Sequence, residues 1–267
     1  MRPGRVRPIL IGLTTWPVST NPKPPSMPLQ AVESSRLYRQ IAEQLRGLIT
    51  EGEFAAGTRL PAERDLARQL GVSRPSVREA LIALEVEGWV EVRTGSGIYV
   101  QPARQRNGAH AARNGHDSNA EWGPLQVMQA RQLVEAEVAA LAARHARKAQ
   151  LAAMTNALEQ MRTEAAAGVE PRAGDEAFHT AIAEACGNDV LSDTVRSYWS
   201  ARHGPLFSRL GDYFENPASW SAALIEHAAV LEAIRARDAQ GAREAMQQHL
   251  KKATNRYSAS WRRANHS

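Results

Sequence analysis

Four potential metal ligands are spaced along the second half of this 267-residue sequence. Asp175 and His179 are four residues apart, so both lie on one face of a helix. His227 and His249 occupy two later segments of helical pattern, at positions that predict an inward orientation. Three imidazoles and a carboxylate could together bind a divalent ion such as zinc, nickel or manganese. Spacing alone leaves open that they are separate surface or core residues, because the chain has eight histidines.

A second group of side chains, all before residue 100, has the chemistry of nucleic-acid contact. Arg74 and Arg78 share one helix face, and arginine can form two hydrogen bonds with O6 and N7 of guanine. Hydroxyls and free backbone N–H groups at the start of that helix suit phosphate oxygens. Arginines on a helix can equally form a solvated face. The candidate DNA contacts are Arg64, Ser73, Arg74, Ser76, Arg78 and the wing residue Gly97.

The elements that carry these arginines follow a recognisable order. Apolar spacing predicts helices over 35–50 and 61–70, a glycine turn at Gly71, and a third helix capped by Ser73. Short β-type segments over 89–93 and 98–101 flank the turn Thr94–Gly97. Helix, helix, tight turn, helix and hairpin is the order of a winged helix-turn-helix, whose second helix of the pair enters the major groove.

The remaining sequence divides into three further segments. Residues 1–34 are rich in proline and predict a disordered tail, although a targeting segment and a translation start at Met27 stay open. Residues 102–121 have no apolar period and predict a linker. Residues 122–262 predict an all-α bundle of about six helices, over 124–146, 148–167, 172–186, 189–211, 217–237 and 239–262. With the winged helix over 35–101, the predicted fold class is mainly α with a small β-hairpin.

Composition excludes several classes of protein. Apolar residues make up 43% and charged residues 23%, the balance of a globular protein, and no apolar run approaches a membrane span. The one cysteine, Cys186, excludes an internal disulfide and fits a cytoplasmic protein. The net charge of +5 lies mainly in the N-terminal tail, so DNA binding must be argued from the placement of arginines.

The winged-helix segment resembles the DNA-binding domain of the GntR superfamily. The resemblance rests on Leu60–Ala67, Leu70–Leu81, Leu84, Gly88 and Trp89. In that family, the positions that match Arg64, Arg74, Ser76, Arg78 and Gly97 contact DNA. The resemblance implies a homodimer on a short palindromic operator, with repression relieved by a ligand as the usual outcome and activation as an alternative.

Residues 122–262 resemble the FCD ligand-binding domain of the FadR subfamily. The resemblance rests on Arg131 with Glu135, the motif Asp175–His179, Gly187-Asn188, Glu226-His227 and His249-Leu250. It implies that Asp175, His179, His227 and His249 bind a divalent metal, for which zinc is the first expectation.

The same resemblance implies a small carboxylate beside the metal. Arg131 matches an inward arginine of the family and could grip the carboxylate through two hydrogen bonds, and Arg202 is a second candidate. Each could instead form a surface ion pair. The segment Tyr198–Phe207 is similar to regulators of sugar-acid catabolism, which points to an aldonate, a uronate or a related hydroxy acid.

Two other functions remain open from the sequence. A metal site with an open position could activate water in an enzyme, but no residue stands out as a base or nucleophile. An architectural DNA-binding protein with a purely structural bundle would place apolar residues where the Asp/His set lies, because unpaired buried polar groups are costly. We therefore predict a transcriptional regulator and no enzyme.

Overall fold

A computed structural model describes residues 37–102 and 122–258 of the chain, which form a winged helix followed by a helical bundle. The winged helix consists of α1 (Leu37–Glu51), α2 (Glu63–Leu70), α3 (Arg74–Val86), β1 (Val90–Arg93) and β2 (Gly97–Val100). The bundle consists of α4 (Pro124–His145), α5 (Lys148–Ala166), α6 (Arg172–Glu184), α7 (Asp189–Arg202), α8 (Pro205–Phe214), α9 (Pro217–Arg235) and α10 (Ala239–Ser258). The predicted fold class is confirmed. The predicted tail, nearly all of the predicted linker and the predicted helix end beyond 258 lie outside the described residues.

The turn between α2 and α3 forms where the sequence predicts it. Gly71 has φ 67°, a left-handed conformation that a residue without Cβ adopts at little cost. Ser73 then caps α3, because its Oγ accepts a hydrogen bond from the backbone N–H of Ser76 at 3.2 Å. This local chemistry fixes the direction in which α3 leaves the turn.

The wing is a two-stranded antiparallel hairpin. Val90 pairs with Val100 and Arg93 pairs with Gly97, so the turn lies at residues 94–96. Val90, Ile98 and Val100 are buried and pack with apolar residues of α1 and α3 in one core. Alternation along the two strands therefore fixes the wing against the helices.

One predicted bundle helix is two helices in the structure. The sequence predicts a single helix over 189–211, but α7 ends at Arg202 and α8 begins at Pro205. Gly204 has an extended conformation, and proline at the first position of α8 has no N–H to donate to the preceding turn.

Among the described residues, no helix has the length and apolarity that crossing a membrane requires.

The helix α3 contributes to both hydrophobic cores. Val77, Ala80 and Leu81 lie in the core of the winged helix, whereas Ile82 is fully buried in the core of the bundle. The winged helix and the bundle pack together as one compact unit. A change in the packing of the bundle can therefore alter the position of side chains on α3.

Candidate metal centre and nucleic-acid interface

The four candidate ligands meet in the interior of the bundle. Asp175 and His179 come from α6, His227 from α9 and His249 from α10, and one donor atom of each lies within 4.8 Å of the others. His227 Nε2 is 3.1 Å from both His179 Nε2 and Asp175 Oδ1, and His179 Nε2 is 3.6 Å from Asp175 Oδ1. Ligands bonded at about 2.0–2.2 Å to one ion lie roughly 3.0–3.5 Å apart, so these separations fit a single divalent ion.

Two carboxylates behind the cluster orient its imidazoles. Glu135 on α4 accepts a hydrogen bond from His179 Nδ1, and Glu226 on α9 accepts one from His249 Nδ1 at 2.8 Å. A proton held on Nδ1 leaves the lone pair of Nε2 for the cluster, which is the ligand form of histidine. The sequence shows both carboxylates but gives no sign that they back these histidines.

The pKa values in the cluster favour the protonation states that bind a metal. Burial alone would raise the pKa of Asp175, but the hydrogen bond with His227 and nearby positive charge hold it well below its ordinary value. Burial lowers the pKa of His179 and that of His249. The ionised form of Asp175 and the neutral forms of His179 and His249 are therefore favoured, and metal binding requires these forms.

The two predicted effector-binding arginines lie beside this cluster and share one aromatic partner. The guanidinium carbons of Arg131 and Arg202 lie 4.5 and 4.4 Å from the ring centre of Trp199. Arg131 Nε donates to Glu135 at 2.6 Å, and Arg202 Nη2 is 3.7 Å from Asp175 Oδ2. Arg131 is buried and Arg202 is partly buried, with its side chain 13% exposed, and each lies in an ion pair. Sequence reasoning missed Trp199.

A small cavity of about 30 Å³ adjoins the cluster. Arg131, Arg202, Asp175 and His249 line one part of it, and Glu215, Arg256 and Tyr257 line another. One water molecule needs about 10–15 Å³, so the cavity has room for about two waters. A larger molecule fits this cavity only if lining side chains move, whereas a neighbouring cavity of about 390 Å³ is lined by the same Arg202, Glu215 and Tyr257.

The predicted DNA contacts at the start of α3 lie at the surface, with one exception. Arg74 is half exposed and its Nε donates to Glu63 at 3.0 Å, and the side chain of Arg64 is 74% exposed. At the helix start, Ser73 is exposed and Ser76 is half-buried. The exception is Arg78, whose side chain is 1% exposed, although it lies on the same face as Arg74.

A groove lined by four arginines separates α3 from the wing. It has a volume of about 350 Å³, and its arginines are Arg59, Arg64, Arg74 and Arg93. One carboxylate, Glu63, also lines the groove, so the lining keeps an excess of positive charge, which attracts phosphate groups. Sequence reasoning missed Arg59 and Arg93.

Gly97 has a role in the wing that the sequence did not indicate. Its φ is 138°, and a Cβ at this position would lie 2.3 Å from Arg59 Nε. Glycine therefore makes room for the Arg59 side chain within the protein. Its predicted role in approaching DNA stays a prediction.

One buried carboxylate links the recognition helix to the first bundle helix. Glu79 on α3 accepts a hydrogen bond of 2.5 Å from the backbone N–H of Leu125, in the first turn of α4. Burial raises the pKa of Glu79 to about 7, and the bond from Leu125 only partly opposes this. The Glu79 carboxyl therefore changes from protonated to ionised close to neutral pH.

We expect the Glu79 junction to weaken as the pH rises. Since the folded chain binds the proton of Glu79 more tightly than the unfolded chain, the stabilisation is complete below about pH 4.5 and is lost as the pH passes 7. Over that range the Glu79→Gln variant, which cannot ionise, should gain roughly 3 kcal/mol of unfolding free energy relative to the wild type. Urea unfolding at pH 5 and pH 8 measures this, and a pH-independent difference would contradict it. Glu53→Gln, an exposed site, is the control.

The winged helix and its exposed arginines are typical of a DNA-binding protein, and comparison with known families agrees. Residues 37–100 match the family described as bacterial regulatory proteins, gntR family, and residues 126–252 match the FCD domain.

Three curated relatives show how far the similarity extends. The Uxu operon transcriptional regulator of Escherichia coli K12 is 36% identical over 225 residues, which cover 82% of this chain and 86% of that protein. The putative L-lactate dehydrogenase operon regulatory protein of the same organism is 34% identical, over 80% of this chain and 84% of that protein. The HTH-type transcriptional repressor NanR of Klebsiella aerogenes is 32% identical, over 85% and 86% respectively.

The chain belongs to the GntR family of bacterial regulatory proteins and is of the FadR type, with a GntR winged helix and an FCD domain. It is a transcriptional regulator, and the metalloenzyme alternative is not supported by any of these relatives.

Proposed function

We propose that this protein is a repressor that binds a palindromic operator as a homodimer and is controlled by a small hydroxy carboxylate, such as a sugar acid, bound beside a divalent ion. The observation that carries the proposal is the position of Arg131 and Arg202 on the same cavity as Asp175 and His249. Positive guanidinium groups and a metal centre together suit an anion that also carries oxygen ligands.

Each chemical group has a defined role in this proposal. Asp175, His179, His227 and His249 would hold the ion, with zinc as the first candidate because imidazole nitrogens suit it. The ion would supply a Lewis-acidic partner for a carboxylate oxygen of the effector. Because the Arg131 guanidinium already donates to Glu135, the effector must either bind Arg131 together with Glu135 or take the place of Glu135. Two of the similar proteins, the putative L-lactate dehydrogenase operon regulatory protein and the repressor NanR, support a hydroxy-acid effector and repression by their names.

The DNA-binding role rests on the start of α3 and the arginine groove. Arg74 would read a base edge, Arg64 and Arg59 would contact phosphates, and Ser73 and Ser76 would bind phosphate at the helix start. The domain division that follows is a winged helix over 35–101 and an effector-binding bundle over 122–262. Two copies on a palindrome would place two such helices in successive segments of the groove.

We expect Arg74→Ala to weaken binding to a specific duplex by about 1–3 kcal/mol, and to weaken binding to a scrambled duplex less. The duplex is obtained by letting the wild-type protein select from a random-sequence pool, and the affinity is measured by fluorescence anisotropy. Arg68→Ala is the control, because Arg68 is exposed and paired with Asp65 but does not line the groove. Equal losses on both duplexes would make Arg74 a phosphate contact instead.

The effector is tested with the same duplex and a panel of acids. L-Lactate, aldonates and uronates are added to the metal-loaded protein, and at least one should change the operator affinity because it binds one conformation better than the other. His227→Ala should abolish the response. An affinity that stays identical across the whole panel would contradict control by a carboxylate. Sedimentation of the protein–duplex complex tests the dimer.

A further inference from the structure

The guanidinium group of Arg78 is covered by the bundle, although the family resemblance assigns this position to DNA. Its Nη1 donates a hydrogen bond of 2.8 Å to the backbone carbonyl of Tyr257 near the end of α10. Its carbon lies 5.2 Å from the ring centre of Phe214, the last residue of α8. Arg74, one turn earlier on α3, is half exposed. Two bundle helices thus cover one arginine of the recognition helix and leave its neighbour accessible.

Arg78 cannot hold these partners and read a base at the same time. Its Nε and Nη2 both donate to Glu63 at 2.9 Å, and Nη1 donates to Tyr257. These bonds use three of the five N–H donors of the guanidinium, and the side chain is only 1% exposed beneath Tyr257 and Phe214. The remaining donors cannot reach a base edge while α8 and α10 cover them, so burial of Arg78 in this position and a contact of Arg78 with DNA are mutually exclusive.

We propose that Tyr257 and Phe214 form an intramolecular latch that withdraws Arg78 from DNA, and that DNA must displace this latch to gain the contact. The latch rests on the proposed function, because entry of α3 into the major groove would bring Arg78, on the same helix face as Arg74, towards the base edges. Its closed state is the conformation described here. Opening it raises the fraction of molecules that are competent to bind, and the apparent affinity rises in proportion.

The latch residues also reach the cavity beside the metal cluster. The hydroxyl of Tyr257 donates a hydrogen bond to Glu215, and Glu215 lies 4.0 Å from Arg202. Tyr257, Glu215 and Arg202 all line the cavity, and Glu215 directly follows Phe214 in sequence. This cavity has room for only about two waters, so an effector that reaches Asp175 and His249 through it must move the lining, and movement of Tyr257 acts on the carbonyl that holds Arg78.

A separate contact keeps α8 in position against the recognition helix. Glu85 on α3 accepts hydrogen bonds from Arg209 Nε at 3.0 Å and from the Tyr213 hydroxyl at 2.7 Å. Glu85 also accepts a bond from the backbone N–H of Val92 in the wing at 2.9 Å. The helix that carries Phe214 is therefore held to both α3 and the wing, so that a shift of α8 is transmitted to both.

The test compares Phe214→Leu with the matched control Phe207→Leu. Both phenylalanines lie on α8 and are 5% exposed, but Phe207 packs in a different cluster with Val127 and Ala201. We expect Phe214→Leu to bind the selected duplex about threefold or more tightly, without any effector, and Phe207→Leu to bind as the wild type does. Tyr257→Phe, which removes only the hydroxyl bonded to Glu215, should show a gain in the same direction.

A double-variant cycle ties the gain to Arg78. In an Arg78→Ala background the Phe214→Leu gain should disappear, because no guanidinium remains to be released. An independent readout is modification by a dicarbonyl arginine reagent, mapped by mass spectrometry on the DNA-free protein. Arg78 should be protected in the wild type and reactive in Phe214→Leu, whereas exposed Arg64 should react in both.

Three results would overturn the latch. They are an unchanged duplex affinity in both Phe214→Leu and Tyr257→Phe, a gain of equal size in the Arg78→Ala background, and reaction of wild-type Arg78 as fast as Arg64. A protein that selects no duplex at all would contradict the proposed function itself. Failure of the latch is distinct from that outcome, because DNA binding then persists and only the response to these variants is missing.

Discussion

We expect replacement of His227 with alanine to abolish the binding of a divalent ion at the cluster of Asp175, His179, His227 and His249. His227 is fully buried, and its Nε2 lies 3.1 Å from donor atoms of two other ligands, so its loss leaves an incomplete set. Elemental mass spectrometry of the purified wild type should give about one ion per chain, and the variant should give almost none. Added zinc should raise the unfolding temperature of the wild type only, because an ion that binds the folded state stabilises it.

Two further variants make the metal prediction specific. His145→Ala removes an exposed histidine outside the cluster and should leave the metal content unchanged. Glu226→Gln keeps all four ligands but changes the group that orients His249, and should weaken metal affinity by about 10–100-fold. If the wild type stays free of metal after reconstitution with zinc, nickel and manganese, the metal centre is refuted, and the winged-helix site is untouched by that result.

Replacing Glu63 with alanine will destabilise the chain strongly. Glu63 and Arg78 are both buried, and the variant leaves the Arg78 guanidinium without this carboxylate. Breaking a buried pair by removing one partner typically costs about 3–5 kcal/mol, more than the median exposed salt bridge contributes. Urea unfolding measures the loss as a shift of the midpoint.

The double variant Glu63→Ala/Arg78→Leu separates charge burial from packing. If an unpaired buried charge is the cause, removing the guanidinium as well should recover a large part of the lost stability. Glu53→Ala, which truncates an exposed glutamate, should change stability by less than about 0.5 kcal/mol. If Glu63→Ala lowers the free energy of unfolding by less than about 1 kcal/mol, another group must compensate the buried charge of Arg78.

The local elements of this protein could be predicted from the sequence because their signals are local. Ser73 caps α3 through the backbone of a residue three positions away, and Gly71 forms the turn through its own φ. The break before α8 also had a local signal in Gly204 and Pro205, which was missed because the apolar spacing continues across it. The spacing of Asp175 and His179 likewise fixed a common helix face.

Only the tertiary structure determines which residues pack against each of these helix faces. The shared face of Arg74 and Arg78 follows from their spacing, but Arg78 is covered by Tyr257, 179 positions later in the chain. Contacts at such separation depend on how the helices pack, and no periodic pattern encodes the partner across an interface. The same reason explains why the pairing of Glu135 with His179, and of Arg131 with Glu135, became visible only in the folded chain. The sequence by itself determined the elements, the winged-helix order and the candidate ligands, while packing alone decided which charges are buried together.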